Sequence, residues 1–261
     1  MTQIRSHTAR LLDRTPPGFA HLMRTDHRIA KFLRPVLNQL LPDRETTVTV
    51  RAGVGQGLRL PILPRAEKYY WTGLHEPHVQ QALMRELQPG SVVWDVGAHI
   101  GFTSLIAARL VGPAGRVEAF EPYPPNQQRL TRAITLNGAA NVGVHPEALG
   151  AEPGTRVFHL HDSSLQGSLV EIPGGQSIKV PCTTLDDLAG DLPAPDLVKV
   201  DAEGAELEVL AGGRRLLASS RPRLLVEFTT SQLFAEARQL FPFYDAAHLG
   251  QNHWLLVTYP S

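Results

Sequence analysis

The stretch VVWDVGAHIGFTS, residues 92–104, joins an apolar run to an acid and a glycine-rich turn. The run VVWDV predicts a buried strand, and Gly97 and Gly101 let the backbone turn tightly and approach a ligand. Loops of this kind usually hold phosphate, which Asp95 would repel. The stretch therefore predicts a strand–turn–helix unit whose ligand is positively charged beside Asp95.

The chain from residue 89 onward continues in the same rhythm of short apolar runs and amphipathic segments. An antiparallel pair is predicted at GTRVFHLHD and QSIKVPC, and a short helix at TLDDLAG with Thr184 as its N-cap. Strands that alternate with helices indicate a mostly parallel sheet covered on both faces. We therefore predict a doubly wound α/β domain over residues 89–261. Its further strands are expected at RVEAFEP, NVGVHPEAL, LVKVDAEG, PRLLVEF and NHWLLVTYP.

Residues 1–88 are predicted to form an amino-terminal extension with helices and a β-hairpin. TTVTVRAG and GLRLPIL alternate like two paired strands, and Pro77 suits the first turn of a helix. Residues 1–44 carry eight Lys or Arg against three Asp. This basic segment could cover the sheet, dock an acidic carrier domain or rest on anionic lipid. The sequence leaves these three alternatives open.

Composition excludes several classes of protein. A single cysteine, Cys182, allows no internal disulfide and indicates a reducing compartment. No apolar run reaches membrane-spanning length and the first twenty residues lack an apolar signal core, so we expect a cytoplasmic protein without a transmembrane segment. After residue 44 the chain holds 17 basic and 22 acidic residues. Nucleic acid, which requires a basic surface, is therefore not an expected partner.

Four acids end four predicted parallel strands: Asp95, Glu121, Asp201 and Glu227. Neighbouring strands lie about 5 Å apart, so these carboxylates should share one edge of the sheet. A cluster of like charges favours a cationic ligand. S-adenosylmethionine, which carries an ammonium and a sulfonium, fits this requirement where a dinucleotide does not.

The parts of S-adenosylmethionine can be assigned to particular residues. Asp95 would hold the ammonium, directly or through water, and Glu121 would accept both ribose hydroxyls. Free amides of the loop and of the start of the following helix would hold the carboxylate. Glu147 and Ala148, at the third strand tip, would contact the adenine. The predicted cofactor-binding set is Asp95, Gly97, Ala98, His99, Gly101, Glu121, Pro122, Glu147, Ala148 and Asp201.

The segments WDVGAHIGFTS, FEPYPPN, TTLDDL and VKVDAEGAELEVLAGG resemble the FkbM-type methyltransferases, and the likeness covers about residues 69–258. The resemblance implies a class I, Rossmann-like sheet of seven strands with the last antiparallel. It also implies methyl transfer from S-adenosylmethionine to hydroxyls of polyketides, saccharides or related metabolites. Two residues depart from the family pattern: His99 replaces a common Asn, and His75 stands where an aromatic residue commonly precedes Glu76.

Catalytic candidates lie beside the expected position of the sulfonium methyl. Asp201 is the first candidate for substrate contact or proton acceptance and Glu203 the second, although Glu203 could instead support the start of a helix. His99 could accept a proton or gate the site, or merely form local hydrogen bonds. Glu206 and Glu208 are expected to be plain charges on a helix face.

Predicted substrate contacts are Glu76, Lys199 and Glu227. Lys199 lies in a strand buried on both faces, so it should pair with acids, either as a structural ion pair or to steer substrate. Glu76, together with the aromatic segment 69–71, could wall an acceptor pocket or pack in the core. Asp201 and Glu227 could join a further oxygen ligand around Mg²⁺, but no spacing demands it and no metal is predicted.

The sequence therefore predicts a methyltransferase that acts on a hydroxyl of a small molecule. The alternative is a domain that binds the cofactor but serves as a docking or regulatory subunit. A nicotinamide-dependent oxidoreductase is disfavoured by Asp95 and by the lack of a G-x-G-x-x-G motif.

Overall fold

The computed structural model describes residues 41–160, 167–170 and 175–258. It divides into two compact units, residues 1–77 and 78–261, and each is described by itself. The helices predicted before residue 41, and with them nearly all of the basic segment proposed to dock a carrier or lipid, lie outside the described residues. No helix in the described ranges has both the length and the apolar character needed to cross a membrane.

The first unit is built on a β-hairpin. Strand β1, Thr46–Thr49, pairs antiparallel with β2, Arg59–Ile62, as the alternation of the sequence predicts. Helix α1, Pro64–Thr72, follows and ends at Gly73, whose φ of 72° is left-handed. A Cβ at Gly73 would lie 1.9 Å from the carbonyl oxygen of Ala52, so the close approach of helix and hairpin requires glycine there.

The second unit alternates strands and helices. Helix α2, Pro77–Glu86, begins at the boundary of the units, and Pro77 lies at its start as the sequence predicts. The elements that follow are β3 Val92–Val96, α3 Phe102–Val111, β4 Arg116–Phe120, α4 Pro124–Asn137, β5 Val142–His145, β6 Ala148–Leu149, β7 Gly154–Leu160, β8 Gly167–Ser168, β9 Ser177–Thr183, α5 Leu185–Leu188, β10 Leu197–Val200, α6 Glu206–Ala211, α7 Arg214–Ser219, β11 Arg223–Glu227, α8 Ser231–Leu240, β12 Asp245–Gly250 and β13 His253–Val257.

The main sheet has seven strands in the order β12-β13-β11-β10-β3-β4-β5. The strands β11, β10, β3, β4 and β5 run parallel, and β13 is antiparallel to both of its neighbours. Strands β3, β4 and β10 are buried along almost their whole length, as strands covered on both faces must be. The doubly wound fold and its antiparallel last strand are confirmed.

Two strand predictions need correction. The segment 141–149 is predicted as one strand, but β5 ends at His145 and Pro146 lacks the amide hydrogen needed to continue the ladder. The chain resumes as β6 in a second sheet of order β6-β9-β7-β8, which contains the predicted antiparallel pair β7 and β9. Strand β12, Asp245–Gly250, is absent from the sequence-based prediction. It is a mostly exposed edge strand with little apolar pattern.

The core of the second unit is centred on the inner strands. Trp94 and Phe120 pack edge to face, with ring centroids 6.0 Å apart. Aliphatic residues of β10, β11 and α6 surround them. Helix α5 is capped as predicted, because Thr184 Oγ1 accepts a hydrogen bond of 3.0 Å from the Asp187 amide. This rigid centre fixes the carboxyl ends of the parallel strands relative to one another.

Candidate active site

The strand-tip acids meet at one edge of the main sheet. Asp95 is the penultimate residue of β3, Glu121 follows β4, Asp201 follows β10 and Glu227 ends β11. The parallel pairing of β4, β3, β10 and β11 places all four at the carboxyl end of the sheet, where open α/β sheets bind their ligands.

Asp95 is fully buried at this edge. Its Oδ2 accepts a hydrogen bond of 2.5 Å from Ser104 Oγ on α3. Its Oδ1 lies 3.5 Å from Lys199 Nζ and has no hydrogen-bond partner among the described residues. Buried carboxylate oxygens normally have a donor, so a ligand ammonium suits this position. Sequence reasoning assigned no role to Ser104, although it lies in the decisive stretch.

The glycine turn after β3 is shaped by the protein itself. Gly97 has φ 77°, and a Cβ there would lie 1.9 Å from the carbonyl oxygen of Asp201. A Cβ at Gly101, where φ is 87°, would lie 2.4 Å from Leu130 Cδ1. Gly97 and Ala98, the latter buried, both donate their amides to the Phe120 carbonyl at 3.0 Å. These two amides are therefore not free to hold a ligand carboxylate, and the use of other amides of the turn and of the start of α3 stays a prediction.

Glu121 ties the turn to the neighbouring strand. Its two carboxylate oxygens accept hydrogen bonds from the amides of His99, at 2.8 Å, and Tyr123, at 2.9 Å. Burial raises the pKa of Glu121 to about 7, although the hydrogen bonds from the two backbone amides and the positive charge of Lys199 act to lower the pKa. Oε1 also accepts a hydrogen bond of 3.5 Å from Asn126 Nδ2, whereas Oε2 keeps a second lone pair. Glu121 can therefore accept a hydrogen bond from a ribose hydroxyl while it keeps its hydrogen bonds from the two backbone amides.

The remaining predicted cofactor contacts lie in the turn after β3, directly after β4 and at the start of β6. His99 has φ 51°, a left-handed conformation. The hydrogen bond from its backbone amide to Glu121 stabilises this conformation. Pro122 is buried at the end of β4. Ala148 is buried in β6, and Glu147 before it has a buried Oε2 without a hydrogen-bond partner among the described residues. That oxygen could accept a hydrogen bond from the amino group of adenine.

Lys199 connects the cofactor turn to the loop after β10. Its Nζ lies 3.1 Å from Asp201 Oδ2 and 3.4 Å from the Gly97 carbonyl oxygen, in addition to its contact with Asp95. Burial raises the pKa of Asp201, but Lys199, His253 and Glu227 together outweigh burial and the pKa is lowered overall. The structure thus brings Lys199 within reach of two acids, as predicted, and Asp201 is ionised at neutral pH.

The loop after β10 forms a strained turn. Glu203 is exposed with φ 50°, and its carbonyl oxygen accepts a hydrogen bond of 2.8 Å from Ser168 Oγ. Gly204 has φ 101° and donates its amide to Glu206 Oε1 at 2.7 Å. Thr229 Oγ1 lies 3.4 Å from Glu206 Oε2.

Glu206 itself corrects the prediction of a plain charge on a helix face. It is fully buried, and burial raises its pKa. Its carboxylate turns back toward the unsatisfied amides at the start of α6 instead of facing water. Glu208, by contrast, pairs at 3.0 Å with Arg156 at the surface, as expected of a helix-face charge.

Two histidines that the sequence does not mark as site residues join the edge. His253 Nε2 lies 3.6 Å from Glu227 Oε2, and its Nδ1 lies 3.0 Å from His78 Nε2 on α2. His253 is buried, and burial lowers its pKa to about 4. Glu227 in turn forms a hydrogen bond with Asp201. The direction of β13 was the available signal, because an antiparallel strand brings its first residue to the edge where parallel strands end.

Glu76 belongs to the first unit. It has φ 42°, and its Oε1 lies 3.4 Å from His75 Nε2. The rings of Tyr69 and Tyr70 lie 4.9 and 4.6 Å from the His75 ring. The contact of Glu76 with an acceptor stays a prediction, as do the catalytic and binding roles of the other candidates.

The strand order, the buried acid and the glycine turn define a class I methyltransferase fold. Residues 95–250 match a protein family described as the methyltransferase FkbM domain. The chain belongs to this family, and its cofactor is S-adenosylmethionine. The site fits this cofactor, since Asp95 Oδ1 and Glu147 Oε2 are buried acceptors without described donors and Glu121 has acceptor capacity left.

Similar proteins include two curated methyltransferases. The chain is 31% identical over 159 residues to hexuronic acid methyltransferase AglP of Haloferax volcanii, covering 55% of this chain and 59% of that protein. It is 30% identical over 159 residues to 31-O-demethyl-FK506 methyltransferase FkbM of Streptomyces tacrolimicus, covering 49% of this chain and 61% of that protein. The chain therefore spans less than two thirds of either relative.

A solved structure of methyltransferase FkbM from Methylobacillus flagellatus KT is also similar. It has a TM-score of 0.49 and 22% sequence identity, and the match covers 65% of this chain and 44% of that chain.

Proposed function

We propose that this protein transfers a methyl group from S-adenosylmethionine to a hydroxyl of a small metabolite, such as a polyketide or a saccharide. One observation carries the proposal: an ionised carboxylate, Asp201, lies at the sheet edge beside the glycine turn and is held there by buried Lys199. Two relatives, a hexuronic acid methyltransferase and a 31-O-demethyl-FK506 methyltransferase, support a hexuronic acid and an O-demethylated natural product as acceptor classes to test first.

The cofactor would be held by three carboxylates. Asp95 would bind the ammonium, Glu121 the ribose hydroxyls and Glu147 the adenine amino group. When bound, S-adenosylmethionine supplies an electrophilic methyl group on a sulfonium. Because such a displacement proceeds in line, positioning of the acceptor accounts for much of the acceleration. Ser104 and Lys199 contribute by fixing the carboxylates that bind the cofactor.

Asp201 is the proposed proton acceptor. As the substrate hydroxyl oxygen bonds to the methyl carbon, the hydroxyl proton becomes strongly acidic and leaves readily. A weak base is then sufficient, provided that it is ionised and lies within hydrogen-bond reach. Lys199 ensures the ionised state of Asp201 at neutral pH. Glu203 is exposed on the same loop and is proposed to contact the acceptor rather than to take its proton.

The test separates binding from turnover. Calorimetry with S-adenosylmethionine and S-adenosylhomocysteine measures binding, and release of S-adenosylhomocysteine in the presence of glucuronic acid or a macrocyclic polyol measures turnover. We expect Asp201→Asn to bind the cofactor within a few fold of the parent but to lose on the order of 100-fold in kcat. The exposed Asp191→Asn is the matched control. Binding without turnover of any hydroxylated acceptor would instead favour a docking or regulatory subunit, and absence of binding would refute both.

A further inference from the structure

Four titratable side chains form a continuous row away from the glycine turn. Asp201 is hydrogen-bonded to Glu227, Glu227 Oε2 lies 3.6 Å from His253 Nε2, and His253 Nδ1 lies 3.0 Å from His78 Nε2. All four belong to the second unit. The row begins at the proposed proton acceptor and ends on helix α2.

We propose that Glu227, His253 and His78 relay the proton of the acceptor hydroxyl from Asp201 to solvent. The proposal rests on the methyl transfer proposed above and adds the route by which the released proton leaves. His253 and His78 are positioning residues in this scheme, because they act through the carboxyl pair and not on the acceptor.

The proton balance of the relay closes at each step. The acceptor oxygen forms its bond to the methyl carbon, the carbon–sulfur bond breaks with its electron pair kept by sulfur, and the hydroxyl proton joins the Asp201–Glu227 pair. The pair then holds one proton in excess, which passes from Glu227 to His253 Nε2. His253 gives its Nδ1 proton to His78 Nε2, and His78 gives its Nδ1 proton to water.

The state of the two rings suits this transfer. A neutral imidazole has one nitrogen that donates and one that accepts, so it can take a proton at one side and release one at the other. Burial lowers the pKa of His253, Lys199 and His78 lower it further, and Asp201 acts to raise it. The pKa of His78 is lowered by burial and then by His248. Both rings are therefore neutral at neutral pH.

Burial along the row gives the transfer a direction. His253 is 2% exposed, so it cannot pass a proton to water itself. His78 is only partly buried, and it is the ring that can exchange with solvent. The separation of 3.6 Å between Glu227 and His253 exceeds a good hydrogen bond by about half an ångström, so the relay requires these two side chains to approach each other during turnover.

The kinetic test uses the full chain with S-adenosylmethionine and glucuronic acid, measured from pH 6 to 9. His78→Gln keeps an amide that can hydrogen-bond to His253 but cannot carry a proton. We expect it to lower kcat on the order of tenfold, to leave KM for the cofactor within about twofold, and to recover with added imidazole. His248→Gln, on the exposed hairpin next to the row, should match the parent. Parental kcat in His78→Gln, or a loss that imidazole does not restore, overturns the relay.

A second measurement needs no turnover. In protein with ¹⁵N-labelled histidine and bound S-adenosylhomocysteine, the relay requires neutral rings at pH 7 and a scalar coupling across the hydrogen bond between His78 Nε2 and His253 Nδ1. Absence of the coupling, or a cationic His253 at that pH, overturns it. If the parent binds the cofactor but does not turn over glucuronic acid, the hypothesis of a saccharide substrate is refuted. The coupling measurement then still tests whether the hydrogen bond that the relay requires exists.

Discussion

Binding of the cofactor should depend on pH through Glu121. Its carboxyl has a pKa of about 7 in the folded protein, raised by burial. If the ionised form binds the ribose and the positively charged cofactor, the competent fraction falls from about nine tenths at pH 8 to about one tenth at pH 6. The dissociation constant for S-adenosylmethionine should therefore rise about tenfold between these values.

Folding stability should change in the opposite direction. The folded protein binds an extra proton at Glu121 between the ordinary glutamate pKa of 4.5 and the folded value of about 7. The contribution of Glu121 to the free energy of unfolding is fully present below the unfolded pKa of 4.5. It is lost as pH rises through the folded pKa of about 7, and the loss is about 3 kcal/mol at most. Thermal unfolding without cofactor would show this loss, whereas cofactor affinity improves over the same range.

Calorimetry at pH 6, 7 and 8 is the decisive assay, and Glu121→Gln is the decisive variant. The variant replaces a charged acceptor by a neutral one, which should weaken binding by about 1.5–3 kcal/mol and remove the pH dependence. Glu152→Gln, on an exposed turn, is the control. A dissociation constant that stays flat in the parent, or an unchanged pH dependence in Glu121→Gln, would refute the reasoning.

Three further substitutions test how the site is held. Lys199→Met leaves the buried Asp95 and the partly buried Asp201 without a cation and should reduce the free energy of unfolding by about 3–5 kcal/mol, whereas the exposed Lys179→Met should not; equal denaturant midpoints would contradict this. Gly97→Ala places a Cβ 1.9 Å from a carbonyl oxygen and should abolish cofactor binding in calorimetry, whereas Gly112→Ala, with positive φ but open space, should only lower the melting temperature. Glu206→Ala should cost about 1–3 kcal/mol in chemical unfolding and Glu206→Gln less, since Gln keeps the oxygen that accepts the Gly204 amide.

The parts of the fold that follow from local pattern could be predicted from the sequence. Strand β3 and its glycine turn are buried on both faces, so their apolar run and their glycines leave a clear signal. Strand β12 leaves almost none, because an exposed edge strand does not need apolar residues. Pro146 marks the break between β5 and β6, but only the second sheet shows where the chain goes afterwards.

The site shows the same division. Acids at the ends of parallel strands could be recognised one by one, since each ends an apolar run. His253 does not follow an apolar run, and its signal was the antiparallel direction of β13, which brings the first residue of that strand to the same edge. Glu206 has the spacing of a helix-face residue, and only the left-handed turn at Gly204 directs its carboxylate inward. Strand pairing decides the position of His253 and a single backbone turn decides that of Glu206, and sequence spacing encodes neither.

The charge of the edge explains why an acid precedes the glycine turn. The acids do not form a bare negative row, because the Lys199 ammonium lies between Asp95 and Asp201 and offsets one of the two charges. One net negative charge remains there, and Glu121 adds a second only as pH rises past about 7. A ligand with ammonium, sulfonium and carboxylate groups carries one net positive charge, which matches the negative charge that remains beside Lys199 and leaves only the charge of ionised Glu121 unmatched. Since the same ammonium contacts the Gly97 carbonyl, the charge balance and the shape of the turn depend on one side chain.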